Sequence, residues 1–215
     1  IAGLVNNIEG QSRVENVSFK GQIKSKGGNS VTAGIAGTNA MSLVKRAYVE
    51  ADIWVKSGQN AGMLVAQNFT DYSGSGWGNW GKLMQSVAKG KLEDAGSRNA
   101  AGIAASIWPY GTINDTVSYA TVVNGKELFS SDNEITDAWM GQKLQNLFGV
   151  QGQSSGTKTG KDAKFRRLTE AEAEQKVKSY RITALEQTSA NEVTTEKLNA
   201  AILRTSPYQD KPGYK

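Results

Sequence analysis

The 215-residue sequence contains no cysteine and no histidine, and only 3 prolines. Without cysteine there is no disulfide framework, no thiolate nucleophile and no thiolate metal ligand. Without histidine there is no Ser-His-Asp triad, and the common zinc ligand sets are incomplete. These absences exclude most self-contained active sites. We therefore predict that this chain supplies no catalytic residue, no metal ligand and no cofactor site of its own.

The net charge of +5 is not concentrated in one part of the chain. Up to residue 130 there are 12 basic and 9 acidic residues, and beyond it there are 13 and 11. The densest basic cluster lies in a run rich in glycine, serine and threonine, and comprises Lys158, Lys161, Lys164, Arg166 and Arg167. Such a run is typical of a solvated linker rather than a polyanion patch, so we expect no nucleic-acid partner.

No stretch of about 18 apolar residues occurs, so we expect no membrane insertion. The chain starts at Ile1 without a Met and without the basic start of a signal peptide, which is typical of a piece of a longer protein. We expect the molecule to be a monomer.

Similar short segments recur along the first 130 residues. An Ala-Gly-aliphatic step occurs four times, beginning at Ala2, Ala33, Ala61 and Ala101. Each step is followed by a ten-residue segment, and the four segments align without gaps. Their first column is Val14, Val44, Leu83 and Ile113; their eighth is Gly21, Ala51, Gly90 and Ala120; their tenth is Ile23, Ile53, Leu92 and Val122.

Repeats near 30 residues with aliphatic and small columns are typical of coils that stack on one another. We predict a mainly β fold, a right-handed parallel β-solenoid (β-helix) of about four coils, although no residue pattern determines the handedness. The small eighth column indicates a bend or a close approach of backbones. The alternative is an antiparallel sandwich whose strands resemble each other by chance.

The third repeat carries about ten extra residues, at about 71–81. Insertions in repeat proteins often form binding loops. The candidate ligand-binding residues are Tyr72, Trp77 and Trp80, as an aromatic platform for a sugar or a peptide. The interpretation that we favour is that the tryptophans cover the flank of the solenoid.

Two motif matches are rejected. The segment 76–81 fits G-x-G-x-x-G, but a dinucleotide loop opens a helix directly after a buried strand, and this segment lies within a β repeat. The segment 152–156 fits G-x-S-x-G, but its serine would need a histidine base that the chain lacks.

Beyond residue 130 the pattern changes to a helical period. Met140, Leu144, Leu147 and Phe148 share one face of a predicted first helix. Thr169 and Glu172 form the capping box of a second helix, and a third is predicted over about 195–204. We therefore divide the chain into a solenoid over 1–130 and a small C-terminal helical cap with an exit linker over 131–215.

The repeat VENVSFKGQI from Val14 to Ile23 and the segment VKRAY from Val44 to Tyr48 resemble the GLUG repeat of large Gram-positive surface proteins. The opening IAGLV, the segment 135–139 and the stretch from Arg167 to Thr183 are similar to the non-catalytic region of streptococcal immunoglobulin A protease-type zinc metalloproteases. That family's catalysis depends on an H-E-x-x-H zinc motif, so no catalytic or zinc residue transfers to this histidine-free chain.

The resemblance implies a non-catalytic accessory domain of a secreted, cell-wall-attached bacterial protease. It would act as a spacer or a docking surface for a protein substrate, and the parent chain would hold the zinc. The implied partner is a host protein such as immunoglobulin or a mucosal glycoprotein.

Two other functions remain open. One is a surface adhesin module that binds host protein or glycan through the Trp77/Trp80 loop. The other is a polysaccharide-cleaving enzyme, for which the ninth column offers one aspartate and one lysine, two coils apart, among Gln22, Asp52, Lys91 and Thr121.

Overall fold

The computed structural model describes residues 1–28, 30–69, 81–107, 111–126, 143–153, 155–157 and 165–185. The chain divides into a unit Ile1–Ala184 and a unit Leu185–Lys215. All the strands and the α-helix reported below belong to the first unit. The third predicted helix and the residues Tyr72, Trp77 and Trp80 lie outside the described ranges.

The described residues form sixteen strands, one α-helix and one short 3-10 turn. The strands are β1 Val5–Ile8, β2 Arg13–Ser25, β3 Val31–Ala33, β4 Ala36–Ala40, β5 Leu43–Val55, β6 Gly58–Gly62, β7 Val65–Phe69, β8 Lys82–Met84, β9 Val87–Asp94, β10 Ser97–Ala101, β11 Ala104–Ile107, β12 Thr112–Ser118, β13 Thr121–Lys126, β14 Lys143–Val150, β15 Ser155–Thr157 and β16 Phe165–Leu168. The helix α1 spans Glu170–Tyr180, and the 3-10 turn spans Thr183–Leu185.

Every recorded strand pair in these ranges is parallel. One sheet has the order β1-β4-β7-β11. The other runs β16-β14-β12-β8-β5-β9-β13-β10-β6-β3, with β2 on β5 and β15 on β13. The prediction of a mainly β fold with parallel sheets is confirmed.

The aliphatic columns predicted from the repeats stand opposite one another in the sheet. Val14 pairs with Val44, Val44 with Leu83, and Leu83 with Ile113. The tenth column does the same through Ile23, Ile53, Leu92 and Val122. We call each residue of such a column a rung. Val44, Leu83 and Ile113 are all 0% exposed, so each rung is covered by the rungs on the neighbouring strands. Burying one such side chain contributes roughly 1.5–3 kcal/mol.

A left-handed residue recurs at the third position of every repeat. Its φ lies between 49° and 54° in Asn16, Arg46, Gln85, Asp115 and Asn146. A non-glycine residue there bends the chain and changes which following residues face inward. Val44 and Ala47, three residues apart, are both 0% exposed for this reason. The residues of this column share no side-chain chemistry, although Asn and Asp tolerate the conformation best.

The first predicted helix is wrong for its described residues, because Leu144, Leu147 and Phe148 lie in β14; Met140 lies outside the described ranges. Leu147 pairs with Thr116, and Phe148 pairs with Val117. The bend at Asn146 separates the first-column residue Leu144 from Leu147 by three positions, and this spacing imitates the period of a helix. Strands β14, β15 and β16 therefore lie within the range 131–215 that was predicted as helical. The domain boundary near residue 130 remains a prediction.

The Ala-Gly alignment of the third repeat is also wrong, by one residue. Gly62 stands opposite Ala33 and Ala101. Met63, rather than Gly62, occupies the place of Gly34, whose N–H donates to the Met63 carbonyl at 2.9 Å. The backbone pairing sets this register, and the short Ala-Gly pair is too common a signal to define it.

The second predicted helix is confirmed as α1. The Thr169 hydroxyl accepts from the Glu172 N–H at 3.3 Å, and the Glu172 carboxylate accepts from the Thr169 N–H at 2.8 Å. Ala173 and Tyr180 are buried, and Val177 is partly buried. No helix in the described ranges is long and apolar enough to cross a membrane.

Candidate functional site

The outer face of β2, β5, β9 and β13 carries a shallow groove that crosses the strands. Its floor follows the small eighth column, Gly21, Ala51 and Gly90. Two hollows lie along this face, of about 380 Å³ and 220 Å³, and both are lined by Asp52. We call this feature the outer groove. Its lining residues are Gly21, Gln22, Lys24, Glu50, Ala51, Asp52, Ile53, Trp54, Lys89, Gly90, Lys91, Glu93, Tyr119, Thr121 and Gln153.

The floor lies close to the backbone because Gly90 has no side chain and no space for one. Its φ is +108°, and a Cβ there would lie 2.2 Å from the Ala51 carbonyl oxygen. This is the close approach of backbones that the small eighth column indicated. Side chains of the neighbouring columns rise on both sides of the floor because successive residues of a strand face alternate sides.

A ladder of charges forms the first wall. Glu50 lies between Lys20 and Lys89, whose ammonium nitrogens are 3.3 Å and 3.1 Å from its carboxylate. The Tyr48 hydroxyl donates to Glu50 at 3.2 Å. Burial acts to raise the pKa of the Glu50 carboxyl, but hydrogen bonds from Lys89 and Lys20 outweigh it and hold that pKa below its usual value. Glu50 is therefore ionised at neutral pH.

The second wall contains the ninth column. Asp52 stands directly opposite Lys91, and Lys91 stands opposite Thr121. The aspartate and the lysine are thus on neighbouring strands, not two coils apart as expected. Lys91 also contacts Glu93 at 2.7 Å, and this hydrogen bond raises the pKa of the Lys91 ammonium group.

These charges do not favour acid–base catalysis in the groove. A general acid needs a carboxyl that keeps its proton near neutral pH, whereas the pKa of Glu50 is lowered. A lysine base needs a lowered pKa, whereas that of Lys91 is raised.

The residues do not fit a zinc ion. The whole chain lacks histidine and cysteine. Within the described ranges, no group of three acidic side chains is close enough together to hold a metal. Zinc sites in proteins are built mainly from those two absent residue types, so no reaction step is assigned to a metal here.

A second polar cluster attaches α1 to the strands. The Lys176 ammonium nitrogen lies 2.6 Å from Asp115, and the Tyr180 hydroxyl donates to the same carboxylate at 3.1 Å. Lys176 also lies 4.6 Å from the centroid of the Phe148 ring. Burial, followed by the nearby Asp115 charge, raises the pKa of Tyr180. This cluster attaches α1 to β12 and β14.

The sequence singled out one wall of the groove and missed the rest. Gln22, Asp52, Lys91 and Thr121 were considered together, and the structure brings them into one row. Glu50, Lys89, Trp54 and Tyr119 were missed. These four residues belong to the seventh and eleventh columns of the aligned repeats. Both columns face outward, as the ninth column does, and this shared outward position is the signal that could have identified them. The candidate residues Tyr72, Trp77 and Trp80 lie outside the described ranges, so their role remains a prediction.

Over 217 aligned residues the chain is 38% identical to the zinc metalloprotease ZmpB of Streptococcus pneumoniae. The alignment covers 86% of this chain and 11% of that protein, so the chain spans about a tenth of its relative's length. No protein-family model and no solved structure matches the chain. The chain is therefore related to a region of a streptococcal zinc metalloprotease, and its assignment to the GLUG repeat remains a prediction.

Proposed function

We propose that this chain is a non-catalytic solenoid region of a secreted, cell-wall-attached zinc metalloprotease. In this role it acts as a spacer or as a docking surface for a protein substrate. The observation that carries the proposal is the alignment to a zinc metalloprotease over 86% of a chain that lacks histidine and cysteine. Hydrolysis by zinc-activated water then belongs to another part of the parent protein.

The strand pairing supports the solenoid part of the proposal. The first-column residues Val14, Val44, Leu83, Ile113 and Leu144 pair successively in parallel, at intervals of about one repeat. Parallel pairing at such intervals is what a right-handed β-helix of GLUG-type repeats requires. Each repeat contacts its neighbours, as a spacer built from stacked repeats requires.

The same arrangement suits a surface that meets a large substrate. Outward residues of successive repeats lie in rows across the sheet. A host protein such as immunoglobulin or a mucosal glycoprotein is the proposed partner of the region in the intact protease.

Deletion of this region from the intact parent protease tests the proposal. If the region docks substrate, KM for a folded glycoprotein rises, while kcat and KM for a short peptide stay unchanged. If it is a spacer, both substrates are cleaved normally in solution, and only cleavage by cell-attached enzyme falls. Loss of peptide hydrolysis by a folded deletion variant would contradict a non-catalytic role.

A further inference from the structure

Neither a role as a spacer nor hydrolysis elsewhere in the parent protease requires the outer groove. We propose that it binds an uncharged, linear oligosaccharide lying across the strands, over the Gly21, Ala51 and Gly90 floor. This inference does not depend on the proposed relationship to the protease. It rests on the charge balance, the aromatic residues and the geometry of the groove.

The charges of the groove nearly balance one another. The two hollows are lined by three carboxylates and three ammonium groups, those of Glu50, Asp52, Glu93, Lys24, Lys89 and Lys91. Lys20, which contacts Glu50 on the first wall, adds a fourth ammonium group. A ligand of either charge therefore gains little net attraction. A sugar hydroxyl, in contrast, donates to a carboxylate and accepts from an ammonium group, so a polyhydroxyl ligand can use both kinds of group at once.

Aromatic side chains lie at both hollows. Trp54 lines the smaller hollow and is partly buried, so its indole ring adds apolar area for the C–H face of a sugar. Tyr119 lines the larger hollow. Burial, followed by the charges of Glu174 and Glu170, raises its pKa to about 12, so its hydroxyl remains a neutral donor and acceptor.

The position of the groove favours a glycan over a peptide. An extended peptide that binds a sheet usually pairs with the backbone of an edge strand. Of the three strands that form the floor, β5 and β9 are paired on both sides, whereas β2 pairs with β5 alone within the described residues. A peptide that lies across β5 and β9 therefore meets mainly side chains rather than the free backbone groups of an edge strand.

The spacing of the strands suits a repeating ligand. Neighbouring strands lie about 4.8 Å apart, so the path from β2 to β13 is about 14 Å. A hexose unit in an extended chain has a length similar to one strand spacing. The groove therefore accommodates about three sugar units, each facing one pair of rungs.

The test uses NMR titration of the complete chain with two uncharged tetrasaccharides, cellotetraose and chitotetraose, and with the anionic tetragalacturonate. We expect one uncharged probe to bind with a Kd of about 1 mM and to shift the amides of Gly21 and Gly90 and the Trp54 indole. Asp52→Ala should weaken this binding about tenfold. Glu9→Ala removes an exposed carboxylate outside the groove and should leave binding unchanged.

Trp54→Ala gives a second, independent variant, and its thermal unfolding is measured to confirm that it is folded. The proposal is overturned if neither uncharged probe binds, if tetragalacturonate binds more tightly, or if Asp52→Ala and Glu9→Ala bind alike. It is also overturned if an unstructured peptide occupies the groove more tightly than every tetrasaccharide, because the surface would then be a protein-docking site.

Discussion

Truncation of Leu83 measures how strongly the stacked columns hold the structure together. Leu83 is 0% exposed and lies between Val44 and Ile113, which are also 0% exposed. Leu83→Ala removes three carbon groups, a transfer loss of about 2.4 kcal/mol at roughly 0.8 kcal/mol each. The rungs on both sides are held by backbone pairing and cannot close the space. A cavity term brings the total loss to about 3–4 kcal/mol.

The assay is urea denaturation followed by circular dichroism. We expect the midpoint for Leu83→Ala to fall with little change in the slope m, since the native fold is retained. Val14→Ala is the matched control, because Val14 occupies the same column but is only partly buried. It should cost about 1 kcal/mol. Equal losses for the two variants would refute the argument that stacking between rungs provides the burial.

Three further predictions concern Gly90, Asn68 and Tyr119. Gly90→Ala should lower the free energy of unfolding in urea melts by about 2 kcal/mol more than Gly10→Ala. Both glycines have positive φ, but only at Gly90 would a Cβ lie against a carbonyl oxygen. Equal losses of unfolding free energy in the two variants would contradict this reason. Asn68→Ala should cost about 2–3 kcal/mol in the same assay, because Asn68 accepts from Asn39 at 2.8 Å and donates to the Thr112 carbonyl at 3.1 Å in the buried interior. In a spectrophotometric titration, the phenol of Tyr119 should ionise at about pH 12. Because burial raises its pKa in the folded protein above the ordinary value of 10.0, its contribution to stability is full below pH 10 and is lost as the pH rises towards 12. Tyr119→Phe should remove that late step, and an unchanged titration curve would show the assignment to be wrong.

The columns were predictable because they repeat the same physical requirement. An interior position stacked between identical positions must be aliphatic, as at Val44 and Leu83, and a close backbone approach needs a small residue, as at Gly90. The capping box at Thr169 and Glu172 was equally local, since both partners lie within one helical turn.

The errors came from features that depend on pairing with distant strands. Leu147 and Phe148 were assigned to a helix because the left-handed residue Asn146 puts inward positions three residues apart. A single sequence does not distinguish that spacing from a helical turn. The shift between Gly62 and Met63 is similar, because backbone hydrogen bonds to the neighbouring repeats, rather than residue types, set the register.

The sequence by itself determined the recurring β segments, the aliphatic and small columns, and the absence of histidine and cysteine chemistry. These properties are carried by residue type and spacing along the chain. Only the tertiary structure decided which outward residues meet. Lys20, Glu50 and Lys89 are separated by 30 and 39 positions, yet they lie on three neighbouring strands and form one wall of the groove. The reason is that strand pairing brings residues one repeat apart to within one strand spacing. Charged residues that are distant in the sequence therefore become neighbours and line one groove.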